Sequence, residues 1–207
     1  MIQVPSIEII DISRDLLSSE VYPGDPDAKI QMVKKIKNGD DYNLSCIMTG
    51  LHNGTHIDAP LHFFDDGDSI DSLDLEAFVG PCTVIETPAG LLTGADVEKL
   101  FPRVCDRVLL KGKGRTFIHP SAASEIAFRG CKLLGIDSLS IEKTDSDGSA
   151  HRFLLGEGVA LLEGLDLSEV REGEYFLAAQ PVLIEGAEAS MCRAVLIKDH
   201  IFWSGSR

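Results

Sequence analysis

Short apolar runs bounded by turn residues recur along most of the chain, and this pattern predicts a strand-rich protein. We predict strands over residues 7–13, 30–36, 42–48, 82–85, 107–110, 132–137, 158–163, 175–179 and 193–197. The Asn38-Gly39 pair lies between the second and third of these strands. Because Asn-Gly is a strong short-range hairpin signal, we predict that these two strands form a hairpin.

Helical patterns are few and short. One helix is predicted to start at an N-cap on Thr93, with Asp96 three residues later, and to end before Pro102. A second helix begins at Pro120 and continues through Ala127, and a third covers residues 150–155. Because short strands outnumber helices and no repeat or linker interrupts them, we predict a single α+β domain over residues 1–207.

Composition and charge narrow the possible functions. A chain of 207 residues with 44% hydrophobic and 25% charged residues can bury a sizeable core. The net charge of −14 repels phosphate backbones and anionic lipid, so we expect no nucleic-acid partner and no membrane partner. No apolar run is long enough to cross a bilayer.

The cysteines and the chain ends indicate the compartment. The five cysteines are scattered and contain no C-x-x-C, so reduced thiols are expected. The first residues carry no basic segment ahead of an apolar stretch, which predicts a cytoplasmic protein. The apolar tail Ile201-Phe202-Trp203 is expected to dock on its own domain or on a partner subunit.

The candidate chemistry is concentrated in residues 52–62. Three of the six histidines and one aspartate lie there, all at even positions: His52, His56, Asp58 and His62. In an extended segment even positions share one face, so this face gathers imidazoles and a carboxylate. Such a donor set suits Zn, Mn or Fe(II) better than Cu(I) or Ca. A wet polar loop with one satisfied histidine is the other interpretation.

Distance requires the segment to bend. A strand rises about 3.3 Å per residue, so His56 and Asp58 are close enough to reach one ion. The Cα atoms of His52 and His56, in contrast, are roughly 13 Å apart in an extended chain. We therefore predict a turn at Gly54, which tolerates positive φ, and a short strand that stops near Pro60. By the same measure His62 lies beyond the inner shell of ligands.

The full pattern His52-x-Gly54-Thr55-His56-x-Asp58-x-Pro60-x-His62 resembles the H-x-G-T-H-x-D-x-P-x-H signature of the cyclase family of metal-dependent hydrolases. That family includes bacterial kynurenine formamidases and isatin hydrolases. The likeness extends to five further stretches, which are Asp11-Ile12-Ser13, Tyr22-Pro23-Gly24-Asp25, Val79-Gly80-Pro81, His151 with Glu163, and Arg193-Ala194-Val195-Leu196.

The resemblance implies a swivelling β/β/α fold, homodimers or larger homo-oligomers, and a small-molecule amide substrate. Its implied function is hydrolysis of N-formyl-L-kynurenine to kynurenine and formate, the arylformamidase reaction. The implied ligands of one or two Zn or Mn ions per chain are His52, His56, Asp58, His151 and Glu163. Water activated by the ion would attack the amide carbonyl, with His62 as general acid and base. The implied substrate contacts are Tyr22, Phe63 and Phe64.

Two alternatives to this function are open, and departures within the resemblance bear on the first. Tyr22 stands where kynurenine formamidases usually have Trp, and residues 186–190 depart from their Gly-Asp-Gly-Ser type of loop. One alternative is therefore a hydrolase of another cyclic or aryl amide, such as isatin. The other is a metal-binding protein without catalytic activity.

Overall fold

The computed structural model describes residues 7–198, and its centre is a nine-stranded mixed sheet. The strand order is β1-β13-β11-β5-β7-β9-β10-β4-β12. These strands are β1 Glu8–Asp11, β4 His56–Asp58, β5 Val79–Glu86, β7 Arg107–Lys111, β9 Leu133–Ile136, β10 Ala160–Glu163, β11 Gly173–Ala178, β12 Ala189–Met191 and β13 Val195–Lys198. The predicted α+β class is confirmed.

The middle of the sheet is parallel and both of its margins are antiparallel. Strands β5, β7, β9 and β10 run parallel to one another. On one side β11, β13 and β1 follow in antiparallel pairs, and on the other side β4 and β12 do. The pairing of β4 with β10 sets His56 opposite Glu163. This register brings together two segments that lie far apart in the sequence.

The central strands are buried on both faces, as their continuous apolar sequences require. Successive residues alternate between two cores. Leu133 and Leu162 belong to the core that includes Ile57, whereas Leu134 and Leu161 belong to the core beneath the helices. Burial of this kind stabilises the sheet by roughly 1.5–3 kcal/mol for each large apolar side chain.

Three α-helices cover the second core: α1 Gly94–Leu100, α2 Pro120–Phe128 and α3 Ser149–Gly156. Before α1, the Asp96 carboxylate accepts hydrogen bonds from the Thr93 backbone N–H and hydroxyl, as the sequence predicted. Before α2, the His119 ring accepts from the Ser121 N–H. Helix α3 packs against β10, so its inward face lies beside the end of that strand.

Polar contacts reinforce one edge of the sheet, beside the pairing of β1 with β13. Arg193 forms a bidentate ion pair with Asp11, and the Ser13 hydroxyl donates to the Ala194 carbonyl at 3.0 Å while accepting from the Ala194 N–H. These contacts connect two of the stretches that carried the family resemblance. They extend the pairing of β1 with β13 beyond the strands themselves.

A hairpin stands apart from the main sheet. Strands β2 Lys29–Lys34 and β3 Leu44–Met48 pair antiparallel as predicted, in a sheet of their own. Their connection is wider than a two-residue turn, because a 3-10 helix, Ile36–Asn38, precedes Gly39, which has a φ of 96°. The Asp40 and Asn43 side chains accept backbone hydrogen bonds and hold this loop.

The sequence pattern missed three short strands. Two of them, β6 Gly90–Leu92 and β8 Thr116–Ile118, form a small parallel pair, and the third is β12. These three-residue strands carry too little alternation to be recognised, whereas the equally short β4 was predicted from its donor residues. Within residues 7–198, no helix has the length and apolar character needed to cross a membrane. The tail at residues 201–203 lies outside the described residues.

Candidate metal centre

The loop at residues 52–55 turns back over β4, as predicted. Gly54 has a φ of 65°, a conformation that glycine adopts without strain. The Thr55 hydroxyl donates to the Gly164 carbonyl at 2.7 Å and accepts from the Arg14 backbone N–H at 2.9 Å. The loop is therefore fastened to the end of β10 on one side and to the segment after β1 on the other.

This turn assembles the first group of donor atoms. The His52 and His56 ring centroids lie 5.2 Å apart. In an extended chain the Cα atoms of these residues would be roughly 13 Å apart, on one face of the strand. Asp58 Oδ1 lies 2.9 Å from His52 Nδ1 and 3.4 Å from His56 Nε2. One donor atom from each of the three residues lies within 4.8 Å of the others, a spacing that one ion can bridge.

A second group of donors shares Asp58 with the first. His151 on α3 and Glu163 at the end of β10 are both buried, and His151 Nε2 lies 3.3 Å from Glu163 Oε1. Asp58, His151 and Glu163 also offer donor atoms within 4.8 Å of one another. Glu163 Oε2 is 3.6 Å from His56 Nε2, so the two groups are contiguous. The fold thus brings together all five residues that the resemblance implied as ligands.

The buried polar atoms of these groups fit a cation. His56 Nε2 and both carboxylate oxygens of Asp58 have no hydrogen-bond partner among the described residues, although neighbouring nitrogens lie close. A buried carboxylate without partners is costly, by several kcal/mol for an isolated charge. Imidazole nitrogens and carboxylate oxygens that converge in this way form a donor set suited to Zn or Mn.

The pKa shifts report a strongly negative environment. Burial alone lowers the pKa of His52, but the adjacent Asp58 carboxylate raises it to about 9. Burial likewise lowers the pKa of His151, and the contacts with Glu142 and Glu163 raise it to about 10. Burial raises the pKa of Asp58, yet the neighbouring imidazoles hold it well below its usual value. The cluster therefore favours positive charge, which a divalent cation also supplies.

Glu142 is a member of the centre that the sequence did not reveal. Its buried carboxylate accepts from His151 Nδ1 at 2.5 Å and from the His151 backbone N–H at 3.0 Å. This contact fixes the ring so that Nε2 faces Glu163, the arrangement in which a carboxylate orients a ligating histidine. An acid shortly before a helix was the only available signal, and it did not specify His151 as the partner.

His62 lies beside the donor groups. The 3-10 helix Pro60–His62 follows β4 and turns the chain. As a result, the centroid of the His62 ring lies 4.1 Å from that of His52 and 6.3 Å from that of His151. The extended-chain distance used for His62 therefore does not apply. Its imidazole makes only ring contacts among the described residues. Burial, together with the nearby histidines, lowers its pKa and favours the neutral ring.

A cavity of about 330 Å³ is lined by the ligand candidates other than Asp58, and by His62 and Glu142. Tyr22 and Phe63 form part of its wall, and the Phe63 ring stacks on His151 at a centroid distance of 5.0 Å. Phe64 is not part of this wall: it packs against the core beneath the helices, under Gly156, and its contact with substrate stays a prediction. The helical turn after Pro60 separates the two rings and directs only Phe63 to the cavity.

Gly164 allows the close approach on which the centre depends. A Cβ on Gly164 would lie 2.2 Å from the Gly54 carbonyl oxygen, and its φ is 67°. We expect Gly164→Ala to lose more than the roughly 1–2 kcal/mol of a left-handed alanine, because it also displaces the 52–55 loop. Gly158→Ala is the matched control, since its φ is 75° and no atom lies within 4 Å of the added carbon. Denaturant unfolding measures both, and equal losses would contradict this account.

Comparisons with known proteins agree with this geometry. The sequence model of the Cyclase family, described as "Putative cyclase", matches residues 10–143. The kynurenine formamidase of Delftia acidovorans is 37% identical over 191 residues, which cover 86% of this chain and 91% of that protein. A structure described as a predicted metal-dependent hydrolase from Bacillus stearothermophilus superposes with a TM-score of 0.82 at 29% identity, covering 94% of this chain and all of that one.

Isatin hydrolase A from Labrenzia aggregata shares the fold at a TM-score of 0.80 and 21% identity, over 92% of this chain and 93% of that one. The predicted fold is therefore confirmed at the level of the family. The sequence match, the nine-stranded sheet and the converging histidines and carboxylates lead to one conclusion: the chain belongs to the cyclase family.

Proposed function

We propose that this protein is a metal-dependent amide hydrolase, and that its substrate is N-formyl-L-kynurenine or a closely related aryl formamide. The observation that carries the proposal is the buried cluster of imidazole and carboxylate groups around Asp58, whose histidines and Glu163 line a cavity. Such a cluster in a chain 37% identical to a kynurenine formamidase supports hydrolysis of a non-peptide C–N bond. We also propose a cytoplasmic location and assembly into homodimers or larger homo-oligomers.

Five residues would hold one or two ions per chain, with Zn or Mn as the proposed metal. The first group is His52, His56 and Asp58, and the second adds His151 and Glu163 to Asp58. When bound, a divalent ion lowers the pKa of water towards about 7 and polarises a carbonyl oxygen. The chain's own contribution is the arrangement that holds these donors together, with Thr55 and Glu142 fixing loop and ring.

His62 is proposed to move the proton. Hydrolysis of an amide requires a base that takes a proton from the attacking water and an acid that protonates the departing nitrogen. The His62 imidazole lines the cavity, and its lowered pKa keeps it neutral and able to accept. His62 belongs to neither donor group, so the lone pair of its neutral ring is available to accept a proton in the reaction.

The cavity wall supports an aromatic substrate. The Tyr22 and Phe63 side chains offer apolar ring surfaces, and among the described residues neither Lys nor Arg lines the cavity. Glu188, from the divergent 186–190 loop, lies 3.6 Å from His52 Nε2. Because this loop reaches the centre, its departure from the formamidase pattern favours a second candidate, a cyclic aryl amide such as isatin.

One screen separates these candidates. The purified protein, reconstituted with Zn or Mn, would be assayed with N-formyl-L-kynurenine, isatin and formanilide while metal content is measured. Turnover of the formyl compounds supports the first proposal, and turnover of isatin alone supports the second. Stoichiometric metal without turnover of any amide would instead indicate a non-catalytic metal-binding protein, and the absence of bound metal would refute all three.

His62→Ala is predicted to keep the metal and the fold but to lose roughly 10²- to 10⁴-fold in kcat, the usual contribution of a general acid–base. Asp58→Ala is the contrasting variant, because it removes the carboxylate common to both donor groups. It is expected to lose metal and activity together. Steady-state kinetics and elemental analysis on both variants make the comparison; undiminished kcat in metal-loaded His62→Ala would refute the proton-transfer role.

Glu142→Gln is predicted to weaken metal affinity by about 10- to 100-fold, since the neutral amide orients and polarises His151 less than a carboxylate does. Glu157→Gln is the control, because Glu157 is exposed at the end of the same helix. Competition with a chromophoric chelator measures the affinity of each variant. If the two substitutions have the same effect, Glu142 does not position the ring.

A further inference from the structure

Arg14 connects three segments around the metal centre, although it contributes no donor atom to either group. The residue follows β1 and is half-buried. Its backbone N–H donates to the Thr55 hydroxyl at 2.9 Å. Its Nε donates to the Leu165 carbonyl at 3.1 Å, and its Nη2 donates to the Asp137 carbonyl. One residue thus contacts the 52–55 loop and the segments that follow β9 and β10.

The two carbonyl groups mark the carboxyl ends of neighbouring parallel strands. Strand β9 ends at Ile136 and β10 at Glu163, so Asp137 and Leu165 lie directly beyond them. These two strands pair parallel to one another. In α/β sheets, ligand sites form outside the carboxyl ends of parallel strands. The Arg14 guanidinium therefore bridges the two strand ends beside which the centre lies.

Asp137 is itself held in place, so it can anchor one end of this bridge. Its buried carboxylate accepts hydrogen bonds from the backbone N–H groups of residues 112–114, at distances between 2.8 and 3.1 Å. Backbone N–H groups that converge in this way form a nest for an anion. Because these bonds fix Asp137, the position of its carbonyl group is set independently of Arg14.

From Asp137 the chain continues into residues 138–142, which contact two of the proposed ligands. The Ile141 N–H donates to Glu163 Oε1 at 2.7 Å. The Glu142 carboxylate accepts from His151 Nδ1 at 2.5 Å. A change in the spacing between the ends of β9 and β10 would therefore displace both of these contacts.

The guanidinium group suits a bridge between two carbonyls. It is planar and presents its N–H donors in a rigid fork, so Nε and Nη2 can donate to two acceptors in a fixed geometry. A lysine ammonium is a compact charge on a flexible stem and cannot reproduce that geometry. Arg14 does not line the cavity of the centre, so it can act only through the residues that it holds.

We propose that Arg14 is a positioning residue of the metal centre: its contacts set the spacing between the 52–55 loop, the end of β10 and residues 138–142. The inference rests on the proposed function, because the donors that it positions are those proposed to hold the ion. Loss of the bridge would let the donors move apart while every ligand remains in the chain, and metal affinity would fall for that reason.

The first test compares two Arg→Lys variants. Arg129 is the matched control, because its half-buried guanidinium also donates to two carbonyls, those of Phe101 and Pro102, which contact no donor of the centre. We expect Arg14→Lys to bind Zn about 10-fold more weakly, as is typical when an outer partner of a metal site is lost, and to shift the visible absorption bands of bound Co(II). Arg129→Lys should change neither. Wild-type affinity and an unshifted Co(II) spectrum in Arg14→Lys would overturn the proposal.

Hydrogen–deuterium exchange of the metal-free protein gives a readout that does not depend on the ion. In the wild type, the Ile141 and Gly164 amides donate to Glu163 Oε1 and to the Ser138 carbonyl. Both amides are expected to exchange faster in Arg14→Lys and in Arg14→Gln, while the amides of β7 stay protected. Arg129→Lys should leave both amides as they are in the wild type.

Each remaining outcome of these experiments decides between the two proposals. A wild type that binds neither Zn nor Co(II) would refute the proposed function alone, and exchange in the metal-free protein would then decide the role of Arg14. Unchanged exchange of both amides in both Arg14 variants would overturn the positioning role. Loss of protection in β7 in both variants would also overturn it, because Arg14 would then support the fold as a whole and not the centre in particular.

Discussion

The antiparallel pairing of β4 with β10 is the constraint on which the centre depends. It sets His56 opposite Glu163, and because β10 is a central buried strand, the position of Glu163 is fixed by the core on both faces. A slip of one residue would turn His56 and Asp58 to the other face and put Ile57 in their place. The burial of Ile57 in the core beside β10 opposes such a slip. The buried Ile57 side chain therefore keeps His56 and Asp58 on the face that carries the centre.

The centre concentrates buried charge, and this has a thermodynamic cost. Asp58, Glu142 and Glu163 are almost wholly inaccessible to solvent and lie within one cluster of imidazoles. Desolvation of carboxylates is unfavourable, and pairing with imidazole offsets only part of it. Replacement of buried ion pairs by apolar residues of similar volume is often neutral or stabilising. The surrounding packed sheet supplies the stability that allows such a cluster to persist.

Much of this arrangement could be predicted from the sequence, and the remainder has identifiable reasons. The strands with continuous apolar sequence were recognised, and the bend at Gly54 followed from the distance between His52 and His56. Local spacing could not place His62, because the helical turn after Pro60 shortens the path that an extended chain would take. Glu142 was missed because its contact with His151 depends on how α3 packs, and no periodic pattern in the sequence indicates that packing. The pairing of His151 with Glu163 came from family resemblance and not from spacing.

The contact between β1 and β13 has a consequence for how the protein forms. Ser13 and Ala194 are 181 residues apart in the chain, yet they exchange two hydrogen bonds. The first strand of the sheet therefore has no neighbour until the last one is available, whether on the ribosome or during refolding. Closing a loop of this length costs conformational entropy, and contacts so distant in sequence raise the contact order and slow folding. Strand β13 also pairs with β11, so one edge of β11 stays unpaired until β13 is available. An unpaired strand edge of this kind makes the unfinished chain a species that chaperones would recognise.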